Sequence, residues 1–454
     1  MSTTIDTKNP YNGDALKSYP LDSENAIQKK LDTAEATFKS WKTYDIEDRI
    51  DLLKNLADTL HQSKNRLSTL MTQEMGKPIL ESKAEIEKCI FLIDFYVKNS
   101  DQFLQDDLIE TDAKESFISY DPLGCILAVM PWNFPFWQVM RFAIPTLTAG
   151  NVALLKHASN VTGCAVAIEK LFLEAGFPEG CFQTLITDHQ SVESLIANPI
   201  VKAVSLTGSE KAGRKIAELA GKNLKPSLLE LGGNNACIVL EDADLEKHIE
   251  TMVKARMQNA GQSCIAAKRF IVVDRIYDEF LEKFTAQVKT LTSGDPMDED
   301  TTLSCLARED LAETLKEQIE KSVALGAQVA YGDQKDGAFY QPTILTEVTP
   351  EMPVFKEETF GPVAAIIKVE TEDEAYEMAS NSQFGLGTMV FTADHEAAID
   401  RISDIEDGGF FINEMVKSDP RLPFGGTKIS GYGRELSKEG MLAFVNTKTV
   451  YINH

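Results

Sequence analysis

The stretch AVSLTGSEKAGRKIAELAG, residues 203–221, decides the fold class. An apolar run ends at Gly208, and a helical pattern starts at Ser209, so one strand feeds one helix across a single glycine. The same alternation recurs on both sides. CILAVMP (125–131), VALLKH (152–157), FQTLIT (182–187) and ACIVLE (236–241) read as short buried strands, and GCAVAIEKLFLEAG (163–176) reads as a helix. KRFIVV (268–273), VAAIIKV (363–369) and GTMVFT (387–392) are further strands, separated by the helical stretches 277–291 and 311–326. Alternation of this kind implies α/β architecture with largely parallel sheets covered on both faces. Two such units, one on either side of about residue 232, are the simplest parse, with Gly232 and Gly233 as a hinge between them.

Working outward, residues 24–100 read as successive amphipathic helices. ENAIQKKLDTAEATFKSW (24–41) places Ile27, Leu31, Ala34 and Phe38 on one face, and the next helix stops at Gly76, a C-cap residue. Residues 106–124 alternate polar and apolar positions, as an extended hairpin does, and 443–453 reads as an edge strand. Strand edges tend to be paired or covered, so both pieces are candidates for a subunit interface.

Composition narrows the function classes. A chain of 454 residues has room for two or three domains. The net charge of −25 argues against nucleic-acid and anionic-membrane partners, which need basic surface. Neither a secretory leader nor an apolar run of spanning length is evident. The seven cysteines are odd in number and form no CxxC pattern, which points to a reducing compartment without structural zinc or disulfides.

Six stretches carry candidate chemistry. In QNAGQSCIAAKRF (258–270), Cys264 sits among small residues that leave room around sulfur. A loop or helix terminus there would lower its pKa, although a buried core cysteine is the commoner reading. In LLELGGNNACIVL (228–240), Glu230 is a carboxylate in an apolar run, either at a solvated strand end or held as an acid or base. In VMPWNFPFWQVMRFAIP (129–145), Asn133 could satisfy its own turn or donate to a developing oxyanion. SLTGSEKAGRKI (205–216) could hold a pyrophosphate at a helix start, but it lacks both the GxGxxG and the P-loop spacing. LPFGGTKISGYGRE (422–435) is a glycine-dense loop, and FKEETFGPV (355–363) places Glu358 before Phe360–Gly361–Pro362.

Taken together, these stretches resemble the aldehyde dehydrogenase superfamily along nearly the whole chain. PWNFP (131–135), LLK (154–156), TGS (207–209), ELGG (230–233), GQSC (261–264), ETFGP (358–362) and the pattern from PFGG to GRE (423–435) occur in the family's order. KHASN (156–160) and SDPRLPFGG (418–426) are similar to the short bacterial succinate-semialdehyde dehydrogenases. The resemblance implies two doubly wound open-sheet domains, a Rossmann-like cofactor domain and a catalytic domain, plus a small β oligomerisation flap. The expected boundaries are 1–101 and 122–232 for cofactor binding, 102–121 for the hairpin, 233–432 for catalysis and 433–454 for the C-terminal strand.

By the same resemblance, Cys264 is the nucleophile and Asn133, with the Cys264 backbone N–H, the oxyanion hole. Glu230 is the base that activates hydrolytic water after hydride has passed to NADP or NAD. Trp132, Lys156, Ser159, Gly208, Ser209, Glu358 and Phe360 are implied to bind the cofactor, and no metal is needed. Many members that prefer NAD carry glutamate where this chain has Ser159, so NADP is expected to be accepted at least as well as NAD. Another departure is Asn234, which replaces a common lysine and receives no role. Arg141, with Trp137 and Ser418, is implied to hold an aldehyde that carries a distal carboxylate. A second arginine found in some relatives is here Gln258.

The main rival is a broad-specificity aliphatic or other semialdehyde dehydrogenase. A coenzyme-A-acylating enzyme is disfavoured by Glu230, a redox sensor by the intact Cys264–Glu230–Asn133 set, and a cysteine–histidine hydrolase by the lack of a partner histidine motif. The expected protein is cytoplasmic and forms a homodimer or homotetramer.

Overall fold

Two sheets built mostly of parallel strands organise the chain. The computed structural model describes residues 3–453. The first sheet runs, in spatial order, through Gly431–Tyr432, Ser227–Glu230, Val201–Thr207, Cys125–Met130, Val152–His157 and Phe182–Thr184. All its pairings are parallel except the outermost, where Gly431–Tyr432 runs antiparallel to Ser227–Glu230. The second sheet has seven strands, with Ala267–Val273 between Asn235–Val239 and Val363–Val369 at its centre. It is parallel except for the edge strand Gln328–Tyr331. The buried strands are nearly all apolar because helices cover both faces, and each fully buried Val, Leu or Ile side chain contributes about 1.5–3 kcal/mol.

Eight helices frame the first sheet and lead into the second. They are α1 (Glu24–Trp41), α2 (Ile46–Met75), α3 (Ile79–Leu104), α4 (Trp137–Thr148), α5 (Thr162–Glu174), α6 (Ser191–Ala197), α7 (Glu210–Lys222) and α8 (Leu245–Met257). Ser23 caps α1 by accepting the Ala26 N–H, and the helix buries Leu31, Ala34 and Trp41. Helix α2 stops at Gly76, which takes a left-handed φ of 78°. Ser209 caps α7 at the point where the opening sequence stretch turns from strand to helix.

Three details differ from the sequence expectation. The strand expected over 182–187 ends at Thr184, because the Asp22 carboxylate accepts the Ile186 N–H in place of a neighbouring strand. An N-terminal hairpin, Thr4–Lys8 with Ala15–Pro20, was not anticipated from its mostly polar residues. Residues 431–432 add to the first sheet although they lie at the end of the expected catalytic segment. The extended hairpin and the C-terminal strand join in one three-stranded sheet, with Val445–Ile452 paired along the whole of Glu115–Pro122. Among the described residues no helix is long and apolar enough to cross a membrane.

One buried ion pair sets the start of α4. Lys77 pairs with Glu85, and both are buried. The other Glu85 oxygen accepts the N–H groups of Phe136 at 2.8 Å and Trp137 at 2.9 Å, the orphan donors of the first turn. Replacing Glu85 with Ala strands the Lys77 charge and should lower stability in urea titrations by about 3–5 kcal/mol; a loss below about 1 kcal/mol would contradict this role.

Candidate active site

The carboxyl ends of the first sheet's parallel strands carry most of the candidate residues, where open α/β sheets bind ligands. Trp132 and Asn133 follow Cys125–Met130; Lys156 and Ser159 end Val152–His157; Gly208 and Ser209 follow Val201–Thr207; Glu230 ends Ser227–Glu230. The amino ends of the second sheet's strands face them and supply Asn235, Cys264 and Phe360. Contacts cross the gap between Asn133 and Gln262, Trp132 and Phe360, and Gly233 and Glu358.

Cys264 is positioned by an unusual approach. Asn259, Ala260 and Gly261 take φ of 54°, 50° and 72°, three left-handed residues in succession. The strain is held by named bonds. Glu81 accepts the Asn259 N–H at 2.8 Å, and the Asn259 amide donates to the Asn133 carbonyl at 2.8 Å. The Cys264 carbonyl accepts from Asn235 Nδ2 at 2.6 Å and Lys268 Nζ at 2.9 Å. A Cβ at Gly233 would stand 2.6 Å from that carbonyl. The two glycines expected to form a hinge therefore serve close approach, and neither takes a positive φ. Among the described residues no acceptor takes the Cys264 N–H, and Asn133 spends only one amide hydrogen, on the Gln262 carbonyl at 3.0 Å.

Electrostatics here depart from expectation. The loop was expected to lower the Cys264 pKa. Burial instead pushes the thiol up to about 11, against the opposing pull of Lys268 and Arg141. Glu230 is 1% exposed, and neither carboxylate oxygen has a hydrogen-bond partner. Burial, and then the charge of Glu435, raise its pKa well above the usual carboxylate range. His157 is neutral, with its pKa pushed down to about 4 by burial, and its two ring nitrogens face the Met130 and Pro135 carbonyls.

A cavity of about 250 Å³ opens beside Cys264. Trp137 and Arg141, one turn apart on α4, line it together with Ser418, so the three residues expected to hold substrate meet there. Glu230 and Asn133 are not on its wall. Arg141 forms a buried ion pair with Glu435 and lies 4.6 Å from the Phe424 ring centroid. From α3, Lys88 reaches the same cavity, where its Nζ donates to Ser418 Oγ at 2.8 Å and sits 4.0 Å from the Trp137 ring centroid. Burial, aided by Arg141, pushes Lys88 down to about 8.

The cofactor candidates form a second group. Trp132 and Phe360 meet edge to face at 5.7 Å. Glu358 Oε1 takes both the Gly233 N–H, at 3.1 Å, and Lys268, at 3.1 Å. Its Oε2 lies over Gly232, where a Cβ would collide with it. Lys156 is 3% exposed, makes no ion pair among the described residues, and has its pKa pushed down to about 8 by burial. Ser159 is exposed and opens a short 3-10 turn. Around Gly208 a Cβ would meet only ordinary contacts, so protein packing does not require glycine there. A buried unpaired lysine, a half-engaged carboxylate and open space at a helix start suit a polyhydroxylated anionic ligand.

Sequence reading missed Lys88, Asn235, Arg256, Lys268 and Glu435. Lys88 had a signal, since Glu81, Ala84, Glu85 and Lys88 share one face of α3 at spacings of three and four. Asn235 and Lys268 act on a backbone carbonyl, which leaves no pattern in sequence. Asn234, given no role, donates to the Phe355 carbonyl at 2.6 Å.

The model of the aldehyde dehydrogenase family matches residues 1–450. A protein of Synechocystis sp. named probable succinate-semialdehyde dehydrogenase, NADP(+), is 47% identical over 451 residues, 99% of each chain. The crystal structure of succinic semialdehyde dehydrogenase from Streptococcus pyogenes with NADP+ superposes with a TM-score of 0.97 at 40% identity, covering 99% of this chain and 100% of that one. The aldehyde dehydrogenase of Physcomitrella patens in complex with the reaction product succinate gives 0.95 at 29% identity, covering 99% and 95%.

With its pKa raised to about 11, the Cys264 thiol should gain about tenfold in thiolate per pH unit below that value. Inactivation by iodoacetamide, compared with a Cys264→Ser control, should keep rising from pH 7 to pH 10; a plateau at neutral pH would show a thiolate already formed.

Proposed function

Because the chain belongs to the aldehyde dehydrogenase family, we propose that it oxidises succinate semialdehyde to succinate, with NADP accepted at least as well as NAD. The cavity that joins Cys264 to Trp137, Arg141 and Ser418 carries the reading. The names of the Synechocystis and Streptococcus relatives and the succinate-bound neighbour support it. Lys156 without an ion pair, and Ser159 with no carboxylate of its own, leave room for a 2′-phosphate.

The residues act in sequence. The Cys264 thiol gives its proton to water and the sulfur bonds to the aldehyde carbon, whose C=O π electrons move to oxygen as an alkoxide. Asn133 Nδ2 and the Cys264 N–H donate to that oxygen, each supplying about 3–4 kcal/mol by the cost of losing such a donor. A bound dinucleotide would supply the two-electron acceptor for the hydride of that carbon, and Cys264 would then carry the acyl group as a thioester. Phe360 would pack near the cofactor's nicotinamide with Trp132 along its path, while Glu358, Lys156, Gly208 and Ser209 would hold its ribose and phosphate groups. Glu230 then takes a proton from water. Hydroxide cleaves the C–S bond, and the sulfur leaves as thiolate and is reprotonated.

The same proposal keeps the five segments given above as the domain division. It makes the protein a homodimer or homotetramer, supported by the three-stranded sheet, whose exposed side chains include Leu108, Tyr451 and Ile452. Its seven free cysteines support a cytoplasmic location.

Steady-state kinetics test the substrate and cofactor. Succinate semialdehyde should exceed butanal in kcat/KM by about tenfold or more, one charge-assisted contact; equal values would favour a broad aliphatic enzyme. A preference for NAD of about a hundredfold would overturn the cofactor reading. Glu230→Gln should trap the thioester and slow turnover by about a hundredfold or more. The folded pKa of Glu230 lies above the unfolded value of 4.5, so the stability it contributes is complete below pH 4.5 and is lost as pH rises toward the folded pKa. The Glu230→Gln variant should therefore match or exceed the parent Tm at pH 8, and a marked fall in Tm would count against this placement.

A further inference from the structure

We propose that Lys88 is the cation that receives the substrate's distal carboxylate, together with the hydroxyl of Ser418; this rests on the carboxylate-aldehyde reading above. Most charges around the cavity are already paired. Arg141 is the arginine expected for this task, but its guanidinium is paired with the buried carboxylate of Glu435 and packed over Phe424. It retains N–H donors, yet its positive charge is balanced before any substrate arrives. Glu85 is balanced by Lys77, and Lys417 by Glu414. Lys254 is exposed. Lys88 makes no ion pair among the described residues, although its ammonium is held inside the cavity wall by Ser418 and Trp137.

An ammonium half-buried in the cavity wall without a counter-ion is costly, and an incoming carboxylate offsets that cost. The hydrogen-bond directions also fit. An ammonium only donates, so the Lys88–Ser418 contact of 2.8 Å uses a lone pair of Ser418 Oγ and leaves the serine hydrogen free. Lys88 keeps two further N–H groups. The pair thus presents a row of donors with one net positive charge, which a carboxylate accepts with both oxygens. Trp137 closes one side of the ammonium and keeps bulk water from screening it. A neutral aldehyde of the same length offers nothing to this pair and leaves the charge unbalanced. Lys88 therefore sets selectivity for an acidic tail, while Arg141, tied to Glu435, shapes the wall beside it.

The experiment compares the parent enzyme with Lys88→Met, which keeps the aliphatic stem, Lys88→Gln as a polar second variant, and Lys88→Arg. Each is assayed with succinate semialdehyde and with butanal, and each is titrated with succinate as a competitive inhibitor. In Lys88→Met and Lys88→Gln the ratio of kcat/KM for succinate semialdehyde to that for butanal should fall by about thirtyfold, the worth of one charged hydrogen bond. The loss should appear mainly in KM, the inhibition constant for succinate should rise in step, and Lys88→Arg should recover most of both. A ratio and an inhibition constant within about twofold of the parent would overturn the assignment alone. A parent enzyme with no preference for succinate semialdehyde over butanal would overturn the substrate reading, and this assignment with it.

Discussion

A single buried guanidinium holds the approach to Cys264 in register with the segment that carries Phe360. Arg256, at the end of α8, is fully buried and makes no ion pair among the described residues. Its N–H groups donate to the carbonyls of Gly261, Ala267, Thr359 and Gly361. Those carbonyls belong to the left-handed approach to Cys264, the strand that follows it, and the segment that carries Phe360. Burial pulls the Arg256 pKa down to about 9, so the charge is kept at a cost that only several aligned carbonyl dipoles offset. Glycine at 261 follows from the same contact, because a side chain there would collide with the Gly361 carbonyl and with Arg256 itself. The strained backbone at 259–261 persists because the surroundings over-determine it.

Around that anchor the site separates its charges by burial. Glu230 and Glu435 are both buried carboxylates, and Arg141 sits against Glu435. Burial raises the pKa of both; Arg141 opposes that rise at Glu435, and the charge of Glu435 adds to it at Glu230. Lys268 plays the matching part on the sulfur side. It is fully buried, paired with Glu358, and bonded to the carbonyls of Ser263 and Cys264. One ammonium thereby links the Cys264 backbone to the Glu358 carboxylate.

Much of this was legible in the chain. The stretch 203–221 announced strand, glycine and helix, and the structure supplies Val201–Thr207 and α7 around a Ser209 cap. Cys264 was named from its local stretch, and Trp137, Arg141 and Ser418 from the family resemblance; all four line one cavity. Other features were not legible. The raised Cys264 pKa depends on how deeply the second sheet buries the loop, and the loop's own residues say nothing of depth. Arg141 read as a free substrate arginine because its partner, Glu435, lies 294 positions away along the chain (435 − 141) and approaches only when the 422–435 loop returns to the first sheet.

Local chemistry settled what each residue type is able to do. Apolar periodicity, capping residues and glycine positions act over a few residues, so alternation, helix ends and the reactive groups themselves follow from order in the chain. Tertiary structure decided which of those groups are charged, which are already paired, and which share a cavity. The physical reason is that desolvation and ion pairing depend on neighbours brought in from distant segments, and their sign and size are set only after the two sheets meet.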